Sequence, residues 1–167
     1  MKSEKLKGNV VRLFVSLVLV VAYIFLPRFR FPGGGLVGHL LYPLSHANVW
    51  HLLANLVCLF MIPCRLHLAT CFVLAVACSF LPCFVSEETM GFSGVLFAVI
   101  GLSWGKVRRF KDMLWRNKWI LVVPMFIPHV NALIHLYCLV AGYFVGAAGL
   151  VGKVGGGGKN CHLSDWI

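Results

Sequence analysis

Apolar residues along this chain come in long blocks separated by short polar gaps, not in the alternation of a half-buried strand or the 3.6-residue stripe of a soluble helix. Blocks cover residues 10–26, 47–62, 66–85 and 90–104. A further apolar stretch, 119–150, is too long for one helix. Pro124, Pro128 and Asn131 divide it into a short fifth segment and a sixth at 131–150. The pattern predicts an all-α fold: a polytopic transmembrane helix bundle of six spans. A count of five stays open, because the fifth segment is short for crossing about 30 Å of hydrocarbon. The first block follows a basic head like that of a signal peptide. No small-x-small site follows it, so it is expected to remain as the first span.

Composition fits a membrane bundle. Of 167 residues, 60% are hydrophobic and 12% charged, too few polar groups to cover a soluble domain of this size. The mean hydropathy is +0.88. The net charge of +10 forms no basic stripe with interleaved aromatics, so nucleic acid is not the expected partner. The cations sit in the gaps instead. With the N-terminus cytoplasmic, 13 of the 15 Lys and Arg residues fall inside, leaving Arg28 and Arg30 outside with Glu87 and Glu88. The organisation read from this is a short basic cytoplasmic N-terminus (1–9), a membrane domain (10–151) and a flexible Gly-rich cytoplasmic tail (152–167), with Gly155 to Gly158 in a row. The unadorned core points to a bacterial inner membrane. Seven cysteines, at 58, 64, 71, 78, 83, 138 and 161, include no CxxC pair and no zinc spacing. They read as apolar fillers, and neither a metal nor a cofactor is expected.

Polar side chains inside such blocks are costly, and they usually serve function or helix association. Three groups stand out. His51 and Asn55 share one face of the second block, with His46 nearer its outer end. Ser93 lies in Gly91-Phe92-Ser93-Gly94 on the fourth, and His135 on the sixth. The orientation puts all three in the outer half of the bilayer. Serine is a weak nucleophile until a base takes its proton, and imidazole has a suitable pKa. Asn55, His51 and the Ser93 backbone N–H are candidate donors to a developing oxyanion. The five acidic residues, Glu4, Glu87, Glu88, Asp112 and Asp165, all lie outside the spans, which leaves a Ser–His dyad. Gly94, Ala98, Gly101 and Gly105 form a small-residue stripe on the fourth span; Gly142 and Gly146 form a pair on the sixth. Packing there would bring Ser93 and His135 together.

Each piece has a plainer reading. A lone serine in a membrane helix more often bonds back to its own backbone. His51 and His135 also suit a proton path in a transporter, although no intramembrane carboxylate or internal repeat accompanies them. What carries weight is the set: Ser, His and Asn on three spans at consistent depth.

At these residues the chain resembles the rhomboid family of intramembrane serine proteases. The stretch 44–55, with His46 ahead of the HxxxN pair His51 and Asn55, resembles the family's second-helix signature. Gly91-Phe92-Ser93-Gly94 matches its GxSG, and 128–135 resembles the segment leading to its histidine. The resemblance runs from about 39 to 149 and implies a minimal six-helix core. It implies Ser93 as nucleophile and His135 as base, with Asn55, His51 and the Ser93 N–H as the oxyanion hole. Substrates would be transmembrane segments of other proteins, cut near the outer face and entering past the fifth helix. Gly91, Gly94, Ala98, Gly101, Cys138, Gly142 and Gly146 are the expected packing positions around the site. The chain departs from the family at Tyr137 and Cys138, where small residues or glycine are usual. At Cys138 the thiol is expected to add width between helices. Ala98 stands where glycine is usual, and the first outer loop lacks the family's Trp-Arg pair. An inactive, client-binding relative is the alternative, against which the retention of both Ser93 and His135 argues.

Overall fold

A computed structural model describes residues 2–62, 67–81, 88–106, 114–115, 118–119 and 131–150. Six longer helices run through them: α1 Lys2–Phe25, α2 Gly35–Leu41, α3 Val49–Met61, α4 Leu68–Ser79, α5 Ser93–Gly105 and α6 Ala132–Ala147. A 3-10 turn, Tyr42–Leu44, joins α2 to α3. Among the described residues there is no strand, only an isolated antiparallel bridge between Phe31 and Thr89. The fold is all-α.

One described helix, α1, is by itself long and apolar enough to cross a membrane, over Gly8–Phe25. It also extends back through the basic head to Lys2, where Lys and Glu are good helix formers. Residues Gly35–Leu44 and α3 pass the same measure as a pair, bent by 61° at the break between them. Helices α4, α5 and α6 have 12, 13 and 16 residues. At 1.5 Å per residue they reach about 18–24 Å, short of the hydrocarbon thickness. The expected span at 66–85 is described only from 67 to 81. The expected fifth segment beyond Trp119, with Pro124 and Pro128, lies outside the described residues, as does the tail.

Helix α2 arises in a stretch read from the sequence as loop. Gly33, Gly34 and Gly35 hide it from any pattern argument, and tertiary contacts hold it. The His39 ring stacks between Phe31 and Phe80, with centroids 5.1 and 4.3 Å away. Its Nδ1 lies 2.9 Å from Ser79 Oγ. That hydroxyl spends its one proton on the Val76 carbonyl at 2.6 Å, so His39 Nδ1–H is the donor. Beside it, the Phe31–Thr89 bridge and an ion pair between Arg30 and Glu88 tie the connection after α1 to the approach to α5.

Helix α5 lies at the centre, with ten of its thirteen residues buried, and α6 packs along it. A β-carbon at Gly101 would overlap the Leu139 carbonyl, and one at Gly142 the Ala98 carbonyl. Gly105 and Gly146 stand equally close to Tyr143 and Leu102. The two backbones therefore touch with no side chain between them, as association in a lipid-like medium requires. Helix α4 covers this pair through Cys71, Ala75, Cys78 and Ser79.

Candidate active site

Ser93 is the first residue of α5, three positions later than the apolar block predicts. The delay comes from Gly91, whose φ of +122° is a conformation L residues rarely adopt. A β-carbon there would also collide with the His51 ring. Gly91 thus turns the chain into α5 and leaves room for that imidazole. The first-turn N–H groups of α5, including that of Ser93, have no acceptor within the helix. They and the helix dipole favour negative charge at this end.

His135 is placed from the other side. Asn131 caps α6 by accepting from the Ile134 N–H at 3.3 Å, and its amide donates to Thr89 Oγ1 at 2.7 Å. The cap locks the start of α6 to the loop before Ser93. One turn on, His135 is buried, and its Nε2 lies 2.7 Å from Ser93 Oγ. The Phe97 ring, one turn along α5 from Ser93, stacks flat on the imidazole with a centroid distance of 4.4 Å and an interplanar angle of 6°. Nδ1 of His135 has no hydrogen-bond partner among the described residues.

The second block supplies the remaining wall. Asn48 caps α3 through the His51 N–H at 2.9 Å. The His51 ring sits beside Gly91, edge-on to the buried His46 at 5.3 Å. Asn55 is buried one turn along α3, and its amide nitrogen donates to the His51 carbonyl at 2.8 Å. An amide has two N–H bonds, so this contact leaves one for another acceptor. Ser93, His135, His51 and Gly91 are thus gathered in one place, while the contact recorded for Asn55 runs to its own helix.

Cys138 is fully buried one turn along α6 from His135, close enough to Cys78 for the two thiols to interact. A β-carbon on Gly94 would lie 3.4 Å from its sulfur and 3.1 Å from Tyr42 Oη. Gly94 therefore makes room for the thiol, and the α5–α6 backbones still touch at the next positions. Of the four cysteines described, Cys71, Cys78 and Cys138 are core fillers and Cys58 is exposed. No group of three or more metal-ligating side chains gathers among the described residues.

Sequence reading passed over Phe97 and the two asparagine caps. An aromatic four residues after a candidate nucleophile, on the same helical face, was the available signal for Phe97. An Asn directly before an apolar run was the signal for the caps.

With the geometry in view, comparison with known proteins gives one result. The Rhomboid domain model matches residues 33–156, well over half the chain, and the chain belongs to the rhomboid family. No curated protein and no solved structure gives a significant match. Members of this family are integral membrane proteins and generally intramembrane serine proteases.

Proposed function

We propose that this protein is an intramembrane serine endopeptidase that cleaves transmembrane segments of other membrane proteins near the outer face of the bilayer. The supporting observation is the 2.7 Å contact between His135 Nε2 and Ser93 Oγ, held by the Phe97 ring at the N-terminus of a buried helix. In this reading His135 takes the Ser93 proton as Oγ attacks the scissile carbonyl, then returns it to the leaving amine. The oxyanion is received by the Ser93 N–H, the His51 ring and the free N–H of Asn55. The chain crosses the membrane six times with its basic ends cytoplasmic. The unpaired first-turn N–H groups of α5 favour negative charge at the end of the helix where Ser93 sits.

The test is labelling of the detergent-solubilised protein by a fluorophosphonate, with Ser93→Ala and His135→Ala beside it. Labelling of the wild type alone is the expected result. Labelling that persists in Ser93→Ala overturns the assignment of the nucleophile. A folded wild type that never labels favours the client-binding alternative, for which Tyr137 and Cys138, reverted to glycine, are the first positions to examine. Asn55→Ala should lower peptidase activity roughly 10²–10³-fold if its amide receives the oxyanion.

A further inference from the structure

A groove of about 220 Å³ lies between α1 and α4, away from the Ser93–His135 contact. Its walls are apolar: Phe14, Val15 and Leu19 on one side, Leu68 and Phe72 on the other, with Phe92 at its upper end. Its foot is basic. Arg12 stands one turn below Val15 on α1, bonded to the Ile62 carbonyl at 2.5 Å and to Asn9 Oδ1 at 3.0 Å. His67 directly precedes Leu68, and Lys106 Nζ lies 3.5 Å from its Nε2. Burial lowers the Lys106 pKa, partly offset by Cys71 nearby. Among the described residues no carboxylate pairs with Arg12 or Lys106; Glu88 lies at the opposite end of α5 with Arg30.

We infer that this groove holds one acyl chain of an anionic phospholipid, whose phosphate is received by Arg12 and Lys106. The lining is apolar throughout, which suits a hydrocarbon chain, whereas an extended peptide backbone would find no partner there. The two cations select the headgroup. A phosphate satisfies several guanidinium donors at once and pairs with an ammonium that has no carboxylate partner among the described residues. This inference rests on the proposed membrane orientation, in which Arg12 and Lys106 stand at the cytoplasmic surface where anionic lipids collect.

The experiment places p-benzoylphenylalanine at Phe72 of the full-length protein. The protein is reconstituted into vesicles carrying phosphatidylcholine and phosphatidylglycerol in both leaflets, irradiated, and its lipid adducts weighed intact. Adducts at position 72 should be enriched in phosphatidylglycerol over the vesicle composition. The same probe at Val73, on the exposed face of α4, should follow the bulk composition. Arg12→Gln and Lys106→Gln should each reduce the enrichment roughly five-fold. Lys106→Gln, on an exposed side chain, supplies the test if Arg12→Gln does not fold. Position-72 adducts that follow the bulk composition, adducts with a second protein chain, or enrichment that survives the charge removals would each overturn the inference. Peptidase activity plays no part in the readout, so failure of the proposed function leaves this result standing.

Discussion

The Gly8–Phe25 segment of α1 and the α5–α6 pair are all strongly apolar, yet they occupy opposite situations. On α1 only 11% of the Gly8–Phe25 window is buried, and Leu13, Phe14, Leu17 and Val21 face outward. On α5 ten of thirteen residues are buried, and α6 contributes Ile134, His135, Cys138, Leu139, Gly142 and Gly146 to the same interior. Hydrophobicity does not separate these cases; the glycines do. Where the surroundings are as apolar as the side chains, burying a Leu gains little, and helices associate where backbones can touch. Helix α1 carries bulky side chains and stays at the edge. Helix α5 carries Gly94, Ala98, Gly101 and Gly105 on the face turned toward its neighbours, and α6 answers with Gly142 and Gly146. The site sits at the head of that seam because only there are two helices close enough for Ser93 and His135 to meet.

The difference is open to attack from the strongest side first. Gly101→Leu puts a side chain into the Leu139 carbonyl. It should cost upward of about 3 kcal/mol, at or beyond the top of the range for overpacking. Most of the protein should then be lost as aggregate on size-exclusion chromatography. Gly91→Ala combines an unfavourable φ with overlap on the His51 ring. A cost of about 1–3 kcal/mol is expected, with a larger fall in fluorophosphonate labelling than in thermal stability, because the displaced groups line the site.

Phe97→Ala removes the ring stacked on His135 and should cost about 1 kcal/mol in stability. The unsupported imidazole should lower the labelling rate roughly ten-fold, whereas Phe97→Tyr should keep it. Leu17→Ala on the open face of α1 is the control. An unfolding free energy within about 0.5 kcal/mol of wild type is expected. A loss there comparable to that of Gly101→Leu would mean that bulk apolar contact, not backbone contact, holds the bundle together.

Much of this could be read from residues alone, for definite reasons. Helical character follows from the apolar blocks, and family membership from His51 and Asn55, the GxSG at Ser93 and the segment ending at His135. Those motifs depend on local spacing along the chain, which a sequence states directly. The close approach of α5 and α6 was also legible, since small residues four apart leave a flat face wherever a helix forms.

Tertiary structure decided the rest. Helix α2 exists because Phe31, Phe80 and Ser79 close around His39, contacts between residues up to 41 positions apart in the chain that no local propensity encodes. The start of α5 at Ser93 depends on the φ of Gly91, and that value is imposed by the His51 ring and by the Gly91 N–H bonding to the Tyr42 carbonyl at 2.9 Å. Phe97 becomes the support of His135 only after α6 is laid against α5. Composition and spacing determine which surfaces a chain presents; which surfaces meet depends on backbone geometry across distant segments, and only the folded chain contains that information.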